Sequence, residues 1–419
     1  MSFQLAALAA LVISCATVNF AQAANRISLD DAVTRVSQNH PELQLVDARK
    51  TGLSAELDRA VLHPGMTAGI SIENILGSGS VEGFDAAETT LSLASVIERG
   101  GKLDARRTLA LTRIDSLVVE REARRLDILA EVARRYLAVV AAQNQLRIDE
   151  QDIAQRKRTI AGAKARLAAG ASPESVVFSA EAALARAELE RSRSAMRIDS
   201  AKRYLAIMWG RHTSDFEVSV QSPLTLPEID SLDELAEYLD SNPELLQFVG
   251  EQRIREASLR LAESSASADI QWQAGLRHYQ ETGDLGLTGA LYMPLGSSRR
   301  AEPEIRMARS DLELLALEKE VKELSLLSIL TESHNSYQAA QLEVDRLQKD
   351  IIPRLQKAET AAEKAYRSGA ISYLEWAQLQ SETTASRKLQ LEAALDAHRA
   401  LIELQRLTGQ ALVSQAAAY

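Results

Sequence analysis

The side chains that could do chemistry are few and scattered along this sequence. The six histidines have neither the paired spacing nor the cysteine neighbours of a zinc site; they are His40, His63, His212, His278, His334 and His398. The sequence has no phosphate-binding glycine loop, no His-Glu-x-x-His pattern and no serine or cysteine nucleophile motif. Paired carboxylates occur only as charges along helix surfaces. We therefore predict no enzymatic activity, no resident metal and no cofactor.

The composition excludes a second class of function. The net charge is −10, and aromatic residues make up only 4% of the chain. Nucleic-acid binding needs a concentrated basic face, so we predict no nucleic-acid partner. Charges of both signs alternate along the helical segments, which is typical of the solvated face of a coiled coil.

The first 24 residues resemble an export signal. They contain no charged residue, and an apolar stretch from Leu5 to Ile13 precedes the small-residue motif Ala21-Gln22-Ala23. This pattern predicts cleavage after Ala23 or Ala24. Cys15, the only cysteine, follows Val12-Ile13-Ser14 and resembles a lipobox, so acylation of Cys15 is the alternative. Either way, we expect a mature chain without disulfides and, in the absence of a later run of about 20 apolar residues, without a transmembrane helix.

The elements that must position any functional side chains are very long helices. An apolar seam with steps of 3, 4, 3 and 4 is typical of a coiled coil; its residues are Tyr337, Ala340, Val344, Leu347 and Ile351. Two successive steps of four around Pro353 predict a stutter, which locally unwinds the supercoil. The stretch from Arg300 to Arg367 would span roughly 100 Å as one helix. Such a length predicts a rod.

The chain is predicted to be a tandem duplication. Gly296 corresponds to Gly100, Gly369 to Gly170 and Gly409 to Gly210, and each half reads as helix, two strands and a long helical hairpin. We predict a signal peptide at 1–24, a first repeat at 25–210, a connector at 211–230, a second repeat at 231–410 and a tail at 411–419. The strands are predicted at 66–76, 87–97, 268–279 and 284–294, and the hairpin tips at 169–173 and 368–372.

The predicted strands alternate apolar with small or polar residues. Ala68, Ile70 and Ile72 face one way, and Ile270 and Trp272 continue the pattern in the second half. This alternation fits a wall between lipid and water, although one such run alone would suit a soluble sheet. Four strands cannot close a barrel, because closure takes about eight or more. Three copies would supply about twelve strands, so we expect a homotrimer.

The sequence resembles the TolC family of outer-membrane efflux factors over nearly all of its mature length. The resemblance rests on the duplication, on the junction Ile97-Glu98-Arg99-Gly100-Gly101-Lys102, and on the two tips. It implies a mainly α fold with a small β part, in which duplicated strand pairs and coiled-coil hairpins trimerise into an outer-membrane β-barrel and a periplasmic α-helical barrel. It further implies a periplasmic adaptor and an inner-membrane RND-type transporter as partners, with the connector in an equatorial belt.

The tips are the candidate functional sites. By the resemblance they close the tunnel and meet the adaptor, and the residues concerned are Arg166, Gly170, Ser172, Pro173, Tyr366, Gly369 and Ser372. Ser172 and Ser372 are predicted to cap the returning helices. Glu375 stands where family members often carry a constricting acid, and Gln378 stands where a second acid is common. The alternative for Glu375 is a charge that stabilises the first helical turn.

The cargo remains open at this point. A glutamate before Gly-Gly-Lys, as at Glu98, is similar to the heavy-metal efflux branch, so metal cations or small toxic compounds are expected to pass without tight binding. An outer-membrane component of a type I protein-secretion system is the alternative within the same fold. A periplasmic adaptor or a coiled-coil structural protein would be a different class, but adaptors carry the hairpin once rather than twice.

Overall fold

The computed structural model describes residues 26–219 and 222–411; the expected leader with Cys15 and residues 412–419 of the tail lie outside these ranges. Its helices are α1 Leu29–Asn39, α2 Pro41–Ala60, α3 Lys102–Ala168, α4 Glu174–Ala206, α5 Leu232–Glu237, α6 Pro243–Ser264, α7 Ser297–Arg346, α8 Ile352–Ser368 and α9 Tyr373–Thr408. Its strands are β1 Arg26–Ile27, β2 Thr67–Glu73, β3 Glu88–Ile97, β4 Glu217–Val218, β5 Ile270–Tyr279 and β6 Leu285–Tyr292. No helix in these ranges has the length and apolar character that crossing a bilayer requires.

The duplicated plan is confirmed. Helix α2, strands β2 and β3 and the hairpin α3–α4 in the first half correspond to α6, β5 and β6 and the hairpin of α7, α8 and α9 in the second. The helices α2 and α6 both begin with proline, and His40 and Asn242 cap them by accepting from the backbone N–H two residues later. Because a proline at the first helical position lacks an N–H that would be unpaired anyway, it starts each helix without cost.

The four long strands form one antiparallel sheet in the order β2-β3-β5-β6. Ile70 pairs with Leu91, Leu91 with Leu276, and Leu276 with Leu287. These four side chains lie on one face and are all exposed, Leu287 to 89%. The opposite face carries polar side chains such as Arg277, whose guanidinium pairs with Glu88 at 2.6 Å. The predicted alternation of apolar and polar faces is therefore present.

The second helical hairpin contains a π-helical turn where the stutter was predicted, and this turn corrects one residue of the predicted seam. A π-helical turn, Leu347–Ile351, separates α7 from α8 just before Pro353. Val344 and Leu347 are buried as predicted, but Ile351 is 43% exposed and Ile352 is buried in its place. A π turn inserts an extra residue into the helical repeat, so the buried seam moves on by one position.

The junction between sheet and shaft joins the two halves of the chain. Arg106 donates to the carboxylate of Glu98 at 2.7 Å and to the carbonyl of Ala60 at 3.3 Å. Lys102 reaches across to Asp269 in the second repeat, with a nitrogen–oxygen distance of 2.7 Å. These contacts fix the direction in which α3 leaves β3.

Gly100 and Gly101, both with a left-handed backbone, form the turn into α3. The N-cap of α3 is Gly101 with φ 73°, and the N-cap of α7 is Gly296 with φ 76°. Gly296 therefore corresponds to Gly101, and the prediction that it corresponds to Gly100 was wrong. The second repeat has only one glycine at this junction, and the N-cap geometry identifies its partner.

The connector is anchored to the start of the first repeat and to the middle of α3. Strand β1 pairs in parallel with β4, and Ile27 and Val218 are buried between the helices. The hydroxyl of Tyr136 on α3 donates to a backbone carbonyl here, with Ile27 at 3.3 Å and Ser219 at 3.1 Å. Burial raises the pKa of Tyr136 to about 12, so it remains a donor at neutral pH.

Candidate functional site at the hairpin tips

Both hairpins end in the same turn. Gly170 has φ 70° and Gly369 has φ 85°. Residues other than glycine rarely adopt this backbone conformation. The N–H of Ala171 donates to the carbonyl of Arg166 at 2.9 Å, and that of Ala370 donates to the carbonyl of Ala365 at 2.8 Å. These six-to-one bonds are Schellman caps, which satisfy carbonyls at the end of each ascending helix.

The returning helices are capped differently, and the prediction for Ser172 was wrong. The N-cap of α4 is Pro173, which makes no side-chain cap bond. The N-cap of α9 is Ser372, whose hydroxyl accepts from the N–H of Glu375 at 3.3 Å. The offset of 199 residues that relates Gly170 to Gly369 maps Pro173, and not Ser172, onto Ser372. The predicted cap on Ser372 is present.

Arg166 joins the two hairpins. Its guanidinium donates to the backbone carbonyl of Tyr366 in the second tip and to the carbonyl of Ala171 in its own tip, the latter at 3.1 Å. The guanidinium carbon also lies 4.9 Å from the centroid of the Tyr366 ring, a cation–π distance. We call this set of contacts, Arg166 with Tyr366 and Ala171, the tip clasp.

An aromatic cluster lies directly under the tip clasp. Tyr366 and Trp376 are 2% and 1% exposed, with ring centroids 5.1 Å apart, and Tyr373 meets Tyr366 edge-on at 6.5 Å. Gly162 on α3 faces this cluster, and a Cβ placed there would lie 3.6 Å from the Trp376 ring. The cluster therefore packs the second hairpin closely against the first.

Three polar atoms in this region have no hydrogen-bond partner among the residues that the structure describes. They are Nε of Arg166, the hydroxyl of Tyr366 and Nε1 of Trp376, and all three are buried. An unsatisfied buried donor costs about 1–3 kcal/mol. The contacts between the two tips are thus well packed but incompletely hydrogen-bonded, unlike the capped turns beside them.

Glu375 lies in a capping box at the start of α9. Its carboxylate accepts from the backbone N–H of Ser372 at 2.7 Å and from the Ser372 hydroxyl at 2.8 Å. The bond from the Ser372 backbone, and then that from its hydroxyl, lower the pKa of Glu375. Glu375 is therefore ionised at neutral pH, and both it and Gln378 are exposed.

A buried polar seam between α3 and α9, on the sheet side of the tip clasp, was not predicted from the sequence. Asp149 and Asp152 on α3 are 2% and 7% exposed. Lys388 of α9 lies 3.1 Å from the Asp149 carboxylate, and the hydroxyl of Thr384 donates to Asp152 at 3.0 Å. In the sequence, two acids three residues apart on a long helix look like surface charges. Their position on the apolar seam of α3 is the signal that could have identified them as buried.

The histidines do not form a metal site. Across 26–219 and 222–411, no group of three or more His, Cys, Asp or Glu side chains is placed to hold a metal ion. His40 caps α2, His334 is buried, and His398 bonds the carbonyl of Pro223 at 2.9 Å.

Known proteins resemble this chain in part of its sequence and in the fold of most of its length. Residues 32–211 match a family described as outer membrane efflux protein. The chain is 22% identical over 322 residues to the cobalt-zinc-cadmium resistance protein CzcC of Cupriavidus metallidurans, and the match covers 77% of each chain.

Solved structures of membrane proteins have the same fold. A membrane protein from Pseudomonas aeruginosa superposes with a TM-score of 0.76 at 18% identity, over 91% of this chain and 92% of its own. The outer membrane protein VceC from Vibrio cholerae gives a TM-score of 0.74 at 17% identity, over 91% of this chain and 96% of its own.

Proposed function

We propose that this chain, which belongs to the TolC family of outer membrane efflux proteins, is the trimeric exit duct of a tripartite pump for metal cations. As a family member it is an efflux channel of the outer membrane, and its long helices extend into the periplasm. The observation that carries the proposal is a sheet with an exposed apolar face at the end of a helical shaft.

The edges of that sheet support a trimer. Strands β2 and β6 lie at its two edges. An open edge cannot persist in the hydrocarbon core, because each unpaired backbone group there costs several kcal/mol. Three copies would join edge to edge and supply about twelve strands, enough for a closed barrel.

The position of the tips supports the proposed partners. The tip clasp lies at the end of the shaft farthest from the sheet, where a periplasmic adaptor and an inner-membrane RND-type transporter would deliver cargo. Leu374, next to Glu375, is 73% exposed and offers an apolar contact for the adaptor.

Metal cations are the proposed cargo because CzcC is named for resistance to cobalt, zinc and cadmium. The metal would pass through as cargo without a resident site. A strain lacking this protein should become sensitive to these three metals and recover when the gene is restored. Recovered export of a secreted protein, with unchanged metal tolerance, would instead identify the type I secretion duct.

The ring of three Glu375 carboxylates is proposed as the aperture, which would favour cations. Glu375→Gln removes the charge, so we expect a lower ratio of cation to anion permeability in planar-bilayer recordings. Glu234→Gln is a matched control, because Glu234 forms the same capping box with Ser231 at the start of α5, away from the tips. Equal permeability ratios in both variants and the native protein would leave Glu375 with a helix-capping role alone.

A further inference from the structure

The four-stranded sheet and the connections between its strands contain a single arginine and no lysine. Over 67–97 and 270–292, six acids accompany this one residue, Arg277. The acids are Glu73, Glu82, Asp85, Glu88, Glu281 and Asp284. All of them lie at the end of the sheet that points away from the shaft, because β3 and β6 run from that end towards α3 and α7. In the proposed barrel this acidic end is the exit of the duct.

The polar face of the sheet carries three charged side chains, and all three meet at this end. Glu73 of β2 lies directly opposite Glu88 of β3, and Arg277 of β5 lies directly opposite Thr90. The other positions of the four strands on this face hold Gly, Ala, Ser, Thr, Gln, Val and Tyr. In the proposed barrel this face lines the lumen, so the charges of the lumen wall are concentrated in one cluster per copy.

The guanidinium of Arg277 connects the members of this cluster. Its two terminal nitrogens lie 2.6 Å from a carboxylate oxygen of Glu88 and 3.1 Å from one of Glu73. Its third nitrogen, Nε, donates to the hydroxyl of Thr90 at 2.9 Å. The second carboxylate oxygen of Glu88 accepts from the side-chain amide of Asn74 at 2.9 Å. One fixed cation is therefore shared by two carboxylates and a hydroxyl.

This set of oxygen atoms is of the kind that binds a divalent cation. Carboxylates directly opposite each other on neighbouring strands repel, so they need a positive charge between them. Glutamate oxygens are ligands for zinc and for harder divalent cations, and hydroxyl and amide oxygens can complete such a shell. Arg277 supplies the positive charge instead. Because a guanidinium stays protonated at every physiological pH, the two carboxylates are never left without their partner.

We propose that Arg277 prevents the exit of the duct from retaining divalent cations, by acting as a built-in counter-charge for Glu73 and Glu88. The proposal rests on the proposed function, in which divalent metals pass through the lumen. A channel conducts only when an ion binds weakly enough to leave again. The acids of the exit attract cations from a distance, and Arg277 keeps the closest lumenal pair of carboxylates from holding them.

Cobalt binding to the purified trimer tests this proposal. Co²⁺ is titrated into tag-free protein in detergent, and the heat of binding is measured by calorimetry. Arg277→Ala should gain one Co²⁺ per chain, bound about tenfold or more tightly than by the native protein, because the cation then meets two carboxylates without a competing charge. Arg277→Lys is the matched control, since it keeps the positive charge, and it should bind Co²⁺ like the native protein. Arg277→Ala/Glu88→Gln should lose the gained site.

Thermal unfolding separates this role from that of a structural tie between β2, β3 and β5. Loss of a tie lowers Tm in Arg277→Ala whether or not metal is present. If the vacated carboxylates bind Co²⁺, the metal should raise the Tm of Arg277→Ala by more than that of the native protein, because a ligand that binds the folded state stabilises it. Arg277→Gln, whose amide can still donate to Glu88, is a second uncharged variant for both measurements.

The outcomes separate this inference from the proposed function. A cobalt site that appears in either uncharged variant, is absent from Arg277→Lys and is lost with Glu88→Gln supports the role of Arg277. Uncharged variants that form trimers but bind Co²⁺ no more tightly than the native protein overturn the inference and leave the duct intact. Failure of both uncharged variants to form trimers would make Arg277 a structural tie and would overturn it as well. The proposed cargo fails separately, if a strain lacking this protein keeps its tolerance to cobalt, zinc and cadmium.

Discussion

Gly100 is the position where adding one methyl group tests the sheet-to-shaft junction most directly. Its backbone has φ 77°, and a Cβ there would lie 2.3 Å from the hydroxyl oxygen of Ser267 and 2.9 Å from the carbonyl oxygen of Ser264. The turn around Gly100 cannot move away easily. The N–H of Arg99 donates to Asp269 at 3.1 Å, and Lys102 pairs with the same carboxylate.

Gly101 next to it supplies the matched control. Its φ is 73°, and nothing lies within 4 Å of a Cβ built there. Alanine at either position carries the left-handed strain of about 1–2 kcal/mol. Only Gly100→Ala adds a collision with backbone and side chain, for which overpacking data indicate about 1–3 kcal/mol more.

These free energies convert into small but measurable shifts in Tm. An unfolding entropy of about 2.1 cal/mol/K per residue makes 1 kcal/mol correspond to roughly 1 °C for a chain of this length. We therefore expect Gly101→Ala to lower Tm by roughly 1–2 °C and Gly100→Ala by roughly 2–5 °C. Circular dichroism at 222 nm in detergent, at one scan rate, measures both. Equal decreases in the two variants would refute the packing argument.

Two predictions concern pH. Burial lowers the pKa of His398, so its neutral form contributes stability that is lost as pH falls below about 6.5. His398→Gln can still donate to the carbonyl of Pro223 but cannot take up a proton. It should therefore reduce the fall in Tm between pH 7 and pH 5. Burial raises the pKa of Glu359, which accepts from Gln155 at 2.7 Å, so its contribution is present below its ordinary value of 4.5 and lost as pH rises. Glu359→Gln should therefore raise Tm at pH 8 and leave it unchanged near pH 4, and an increase that is the same at both values would exclude ionisation as the cause.

The periodic parts of this fold could be predicted from sequence because local patterns determine them. The capping box of Ser28 and Asp31 at the start of α1 is such a local pattern, because the two residues lie three positions apart. The proline at Pro41 divides α1 from α2 for an equally local reason. Alternation at Ile70 and Ile72 gave the exposed apolar face of the sheet, since side chains of a strand must alternate.

The contacts of the candidate site could not be predicted in the same way. Arg166 and Tyr366 come from different repeats, and no period connects a guanidinium in one tip to a carbonyl in the other. The error at Ser172 has a different origin: the offset of 199 residues between Gly170 and Gly369, already visible in the sequence, maps Ser172 onto Ile371 and Pro173 onto Ser372. The predicted burial of Ile351 was wrong because one residue inserted by a π turn shifts the following seam by one position.

The pairing of β1 with β4 has a consequence for how the chain is made. Ile27 lies at the start of the first repeat and Val218 in the connector that follows it, and both are buried in one cluster where β1 pairs with β4. Until the polypeptide has been delivered as far as Val218, the beginning of the repeat has no sheet partner and its apolar side chains stay in water. Contacts of such long range are formed slowly. During export, β1 therefore has no sheet partner until the connector with β4 has been delivered.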